Sequence, residues 1–112
     1  MTPLELVKVQ FDAYNARDAD AMCACYAEDC IIANLNGEIT IRGRDAIRKV
    51  YGRMFAANPQ TRAWSHHRAA VGNIVVEHEE GELAPGGAGR FEVLAIYTIQ
   101  DGLIARLDMV RQ

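Results

Sequence analysis

Apolar positions near the N-terminus recur at spacings of three and four, whereas those of the second half alternate or run together in β-branched stretches. Leu4, Val7, Phe11 and Tyr14 form one stripe and predict a first helix that closes at Asn15. Thr2-Pro3-Leu4-Glu5 supplies its start, with Thr2 as cap, Pro3 at the first helical position and Glu5 completing a capping box. Asp18 caps a second, shorter helix carrying Met22, Cys25 and Tyr26. Residues 31–35 and 38–42, separated by Asn36-Gly37, predict a hairpin. After Gly43, the spacing of Ile47, Val50, Tyr51, Met54 and Phe55 marks a third helix that stops at Asn58-Pro59. Strands are predicted at 60–71, 73–80, 90–100 and 103–111, turned at Gly72-Asn73 and Asp101-Gly102. The glycine-rich stretch 81–89 is the one flexible connection and is placed to form a lip over a pocket.

Helices first and strands afterwards predict an α+β fold, three helices packed on a strongly curved antiparallel sheet, with 112 residues forming one domain. Both alternating sets of residues 91–99 are largely apolar, so the sheet face away from the helices needs a cover too. A homodimer packed sheet to sheet through Leu94 and Ile96 supplies it. A net charge of −3 without a cluster of Lys and Arg gives no footprint for nucleic acid or an anionic membrane. The N-terminus lacks a secretory pattern and no apolar run reaches spanning length, so a cytoplasmic protein is expected. Cys23, Cys25 and Cys30, odd in number and close together, are expected to be reduced.

The run Tyr26-Ala27-Glu28-Asp29, then Gly43-Arg44-Asp45-Ala46-Ile47 and Tyr51, with the closing Asp101-Gly102-Leu103-Ile104, resembles the nuclear transport factor 2-like superfamily and its SnoaL-like and ketosteroid isomerase-like members. The resemblance spans nearly the whole chain and implies a cone-shaped, cystatin-like α+β barrel with a deep apolar pocket. Against the ketosteroid isomerase pattern, the supporting tyrosines fall on Tyr26 and Tyr51. The catalytic aspartate, however, falls on Asn34, the oxyanion tyrosine on Gln10 and the oxyanion acid on Ala95. An amide is no carboxylate base and alanine donates no hydrogen bond. Against the epoxide hydrolase pattern, the water-positioning asparagine falls on Asn34 and the arginine and acid on His78 and Glu80. The orienting tyrosine becomes Ile32, and the last-strand aspartate aligns with Met109, one position beyond Asp108.

Both alignments put His78 on the inward face of its strand, with Val76 and Glu80 on the same side by alternation. An imidazole near an acid is a general acid/base pair, or alternatively part of a polar strand end in solvent. His66-His67 is expected to place one imidazole on each face, so that at most one, His67, enters the pocket. Asn34 either orients a ligand or water or serves the Asn36-Gly37 turn. Asp108 reaches the pocket only through a bulge and otherwise pairs with Arg106 or Arg68 outside. The candidate catalytic set is thus His78, Asn34, Glu80 and Asp108. The pocket wall is expected from Tyr14, Ile32, Val50, His67, Val76, Tyr97 and Met109. No ligand spacing suggests a metal and no motif suggests a cofactor. The reading is cofactor-independent acid/base chemistry of isomerase, cyclase or epoxide-hydrolase type on a small apolar molecule. The alternative is a non-catalytic ligand-binding or dimerisation module.

Overall fold

The computed structural model describes residues 1–112. Helix α1 spans Pro3–Asn15, α2 Ala19–Cys23 and α3 Arg44–Ala57. The strands are β1 Tyr26–Asn34, β2 Ile39–Arg42, β3 Arg62–Val71, β4 Ile74–Glu82, β5 Phe91–Gln100 and β6 Leu103–Arg111. The capping box forms as its sequence demands: Thr2 N–H donates to Glu5 Oε1 at 2.8 Å, and Glu5 N–H to Thr2 Oγ1 at 3.2 Å. Asp18 Oδ1 caps α2 by accepting from Ala21 N–H at 3.0 Å. That helix ends before Cys25 and Tyr26, and Tyr26 instead opens β1, five residues earlier than the alternation at 31–35 suggests.

The three helices lie on one face of a six-stranded sheet of order β2-β1-β6-β5-β4-β3. Every neighbouring pair is antiparallel except β1 and β6, which run parallel with Ile32 opposite Leu107 and Asn34 opposite Met109. The sheet is therefore mixed, where a purely antiparallel one was expected. The hairpin pattern of β1 and β2 is local, whereas the partner on the other edge of β1 lies about seventy-five residues away and carries no short-range signal. Asp101 and Gly102 both hold positive φ, 52° and 76°, the combination that a two-residue turn between right-twisted strands requires.

Leu6 and Val7 of α1, Met22 and Cys23 of α2, and Ile47 and Phe55 of α3 bury their side chains against the sheet. The sheet answers with Val75, Val93, Ala95, Tyr97, Leu107 and Met109. These positions fix the inner face of each strand. On β5 the inner set is the expected one, Val93, Ala95 and Tyr97, with Leu94 and Ile96 outside. On β4 it is Val75, Glu77 and Glu79, paired with Tyr97, Ala95 and Val93 of β5. Val76, His78 and Glu80 therefore face away from the helices, opposite to the expected side.

A bulge between Ser65 and His67 makes two residues of β3 oppose one step of β4. His67 pairs with His78 and His66 reaches Glu80, so both imidazoles share the outer face instead of dividing between the two. The following residue, Arg68, is turned inward opposite Glu77. No helix is long and apolar enough to cross a membrane.

Candidate functional site

A cavity of about 240 Å³ opens between α1, α3 and the inner face of the sheet. Its wall is apolar, with Ile41, Val50, Met54, Phe91, Val93 and Met109 prominent, and the lip is Leu83 at the start of the glycine-rich connection. Leu83 is held there because its N–H donates to Ala88 O at 2.9 Å and its side chain packs beside Gly89. A recess of about 30 Å³ lies beneath, lined by Gln10, Tyr26, Tyr97 and others; it shares Tyr14, Tyr51, Glu79 and Met109 with the larger space and so forms its floor. That is room for a group the size of a water molecule.

Polar atoms concentrate at this floor. Tyr14 packs edge-on against Phe55 at 5.3 Å and Tyr51 at 6.3 Å between ring centroids. Its hydroxyl meets Thr61 Oγ1 at 3.2 Å, while the Thr61 hydroxyl donates to Glu82 O at 3.1 Å. With the threonine proton committed, Tyr14 donates to Thr61 and keeps only acceptor capacity toward a ligand. Tyr51, by contrast, makes no hydrogen bond within the protein, and burial pushes its pKa up to about 12, so it stays a neutral donor. The Gln10 side chain is buried, and its Oε1 has no partner.

Glu79 is the one carboxyl on this wall. It neighbours Glu77, the next inward position on the same strand, whose side chain is wholly buried and ion-paired with Arg68. The Arg68 Nε donates to Glu77 Oε2 at 2.5 Å, and the guanidinium lies 5.2 Å from the Phe11 ring centre. Burial first, then the negative charge and hydrogen bonding of Glu77, raise the Glu79 pKa to about 8; Arg68 and Arg111 oppose the shift only partly. Glu77 Oε1 has no other partner, and a protonated Glu79 is the donor that would satisfy it. The arrangement is a carboxylic acid kept neutral at the wall of an apolar cavity.

Several expected site residues lie elsewhere. Tyr14, Val50 and Met109 do line the cavity, and Tyr97 lines its floor. Ile32 is packed core. Asn34 lies on the inward side of β1, yet its Nδ2 donates to Glu38 Oε1 at 3.2 Å and its backbone closes the β1–β2 turn; it is not on the cavity wall. His67, Val76, His78 and Glu80 are on the opposite face of the sheet, with His78 Nε2 2.5 Å from Glu92 Oε2 and His66 Nε2 2.9 Å from Glu80 Oε1. Asp108 also faces outward, held by Arg106 through contacts of 2.9–3.1 Å. Asn34, His78 and Glu80 thus share no cavity, and the epoxide-opening arrangement assembled from them fails because β4 sits one residue out of the expected phase. Glu79, Arg111 and Gln10 are wall residues that the sequence pattern does not single out as site residues. Glu79 turns inward because it pairs with Val93 of β5, a register that no local pattern signals.

Residues 7–107 match the family model described as a SnoaL-like domain. Among solved structures, an uncharacterised cystatin-fold protein from Novosphingobium aromaticivorans is 28% identical, with a TM-score of 0.90 over 99% of each chain. A candidate polyketide cyclase from Sinorhizobium meliloti is 24% identical at a TM-score of 0.77, over 95% of this chain and 94% of the other. An NTF2-like protein of unknown function from Cytophaga hutchinsonii is 16% identical at a TM-score of 0.81, over 100% and 91%. The latter two similarities bear on the fold alone. No curated protein matches the chain.

Proposed function

The chain belongs to the SnoaL-like domain family, and from that premise we propose that it is a cofactor-independent enzyme moving a proton on a small, largely apolar carbonyl compound, with Glu79 as the acid/base group. The observation that carries this reading is the position of Glu79, the single carboxyl on an apolar cavity wall and already in contact with the charge-paired Glu77. A group poised near neutrality serves in both directions. The Tyr51 hydroxyl donates a hydrogen bond to a carbonyl oxygen; the ionised form of Glu79 takes a proton from the adjacent carbon, and the resulting acid returns it there or at a conjugated position. Nothing is gained or lost overall, as in an isomerisation or the enolisation step of a ring closure. The volume, below the ~300 Å³ at which drug-sized sites begin, favours a small metabolite.

Hydrogen–deuterium exchange at the carbon beside the carbonyl, followed by NMR for a panel of small ketones and enones, tests the proposal before the natural substrate is identified. Exchange by the wild-type protein that falls by about 10²- to 10⁴-fold in Glu79→Gln supports it. Ligands that occupy the cavity without any Glu79-dependent exchange would refute catalysis and leave the binding-module alternative.

We further propose that a second copy covers the outer sheet face, where Leu94 and Val110 are 37% and 43% exposed beside a groove of about 380 Å³. Cytoplasmic residence is proposed on the three buried free thiols Cys23, Cys25 and Cys30.

A further inference from the structure

Arg111 is the second charged residue on the cavity wall, and its situation differs from that of the other arginines of β3 and β6 and of Arg90. Arg62, Arg68, Arg90 and Arg106 each hold a carboxylate of the protein: Glu82, Glu77, Glu80 and Asp108 respectively. Arg111 holds none. The period-two alternation that turns Leu107 and Met109 inward carries Arg111 to the same side at the last step of β6. There its Nη2 lies 3.1 Å from Met109 Sδ, a weak acceptor and the one hydrogen-bond partner the guanidinium has within the protein. Its positive charge acts on Tyr14, Tyr51 and Glu79, three residues of the wall. The residue is exposed at the mouth, so it meets an entering molecule before the floor does.

We infer that Arg111 selects a small monocarboxylate, its carboxylate gripped at the mouth by the guanidinium and its apolar body directed toward the floor. This rests on the cavity being the ligand site. A planar fork matches a planar carboxylate with two parallel hydrogen bonds. One cation neutralises one charge, so a phosphate dianion would retain excess negative charge beside the Glu77–Glu79 pair. The neutral state of Glu79 completes the fit, since an ionised carboxylate on the same wall would repel the ligand.

The experiment compares para-toluate with its neutral isostere para-toluamide, by titration calorimetry and by NMR shifts of Ile41 and Met54 methyl groups on the wall. In the wild-type protein the carboxylate should bind about tenfold to a hundredfold more tightly than the amide. Arg111→Met should abolish that preference, Arg111→Lys should restore part of it, and Glu79→Gln should keep it. Equal binding of both probes within the cavity would overturn the role of Arg111 while leaving the acid/base reading standing. Carboxylate binding that shifts only surface residues, or survives undiminished in Arg111→Met, would overturn it too. Absence of both probes from the cavity would overturn the pocket reading itself, and this inference with it.

Discussion

Replacing Glu79 by Gln should make the protein less sensitive to rising pH. The folded protein holds a proton on Glu79 up to about pH 8, whereas the unfolded chain releases it near the ordinary value of 4.5. Between those limits the native state binds more protons than the unfolded one. Stability is therefore present in full below the lower value and is lost as pH rises through the interval, at up to about 1.4 kcal/mol per pH unit. From about pH 5 to 7.5 the ideal loss is roughly 3 kcal/mol; water entering the open mouth of the cavity reduces it, and about 1–3 kcal/mol is expected. The amide of Gln mimics the protonated acid and titrates nowhere. Urea unfolding of both proteins at several pH values isolates the effect of Glu79 and its immediate partners, because the titrating groups remote from it are common to both and cancel in the difference. The wild type should lose ground to Glu79→Gln steadily across this range, whatever constant offset the substitution brings. Parallel pH profiles, or a variant that becomes relatively weaker at high pH, would refute the neutral-acid argument.

Removing Arg68 should be among the most damaging single changes, since Arg68→Met leaves the Glu77 carboxylate buried without its cation; a loss of about 3–5 kcal/mol in urea unfolding is expected, much of it recovered in Arg68→Met/Glu77→Met. Gly81→Ala should cost about 2 kcal/mol or more, because an added Cβ would stand 2.6 Å from the Arg62 carbonyl oxygen, backbone that has little freedom to retreat. Thr61→Val should lower the melting temperature by a few degrees, as it removes the bond to Glu82 O and the acceptor for Tyr14. Leu94→Asp should yield monomers by light scattering at micromolar concentration if the outer face is a dimer interface; a wild-type protein that is already monomeric would end that proposal.

The elements that local chemistry dictates were legible in the residues. Thr2 and Glu5 form the expected capping box, Asp101-Gly102 the expected turn, and the resemblance carried by Tyr26 through Tyr51 agrees with the SnoaL-like assignment. What remained hidden was register across long connections. In Ile74-Val75-Val76-Glu77-His78-Glu79-Glu80 the set Ile74, Val76, His78 and Glu80 is the more apolar, so composition favours the face that in fact turns outward. The glycine-rich connection between β4 and β5 fixes no pairing. Only the long-range pairs Val75–Tyr97, Glu77–Ala95 and Glu79–Val93 decide which glutamates turn inward.

That one-residue difference changes the chemistry, because it turns an acid instead of an imidazole toward the cavity. Two glutamates facing the helices break the rule that strands turn apolar residues to the core, and such violations concentrate where a site is being built. An unpaired carboxylate at Glu77 would be costly, and the chain answers it through β3. Without the bulge at His66, strict alternation from Trp64 would carry Arg68 to the outer face along with His66; the extra residue reverses the phase and delivers the guanidinium to Glu77. Glu77 is thus ion-paired with Arg68, and burial beside it drives Glu79 to keep a proton. The bulge that gathers both histidines outside is therefore also what makes a neutral acid possible inside.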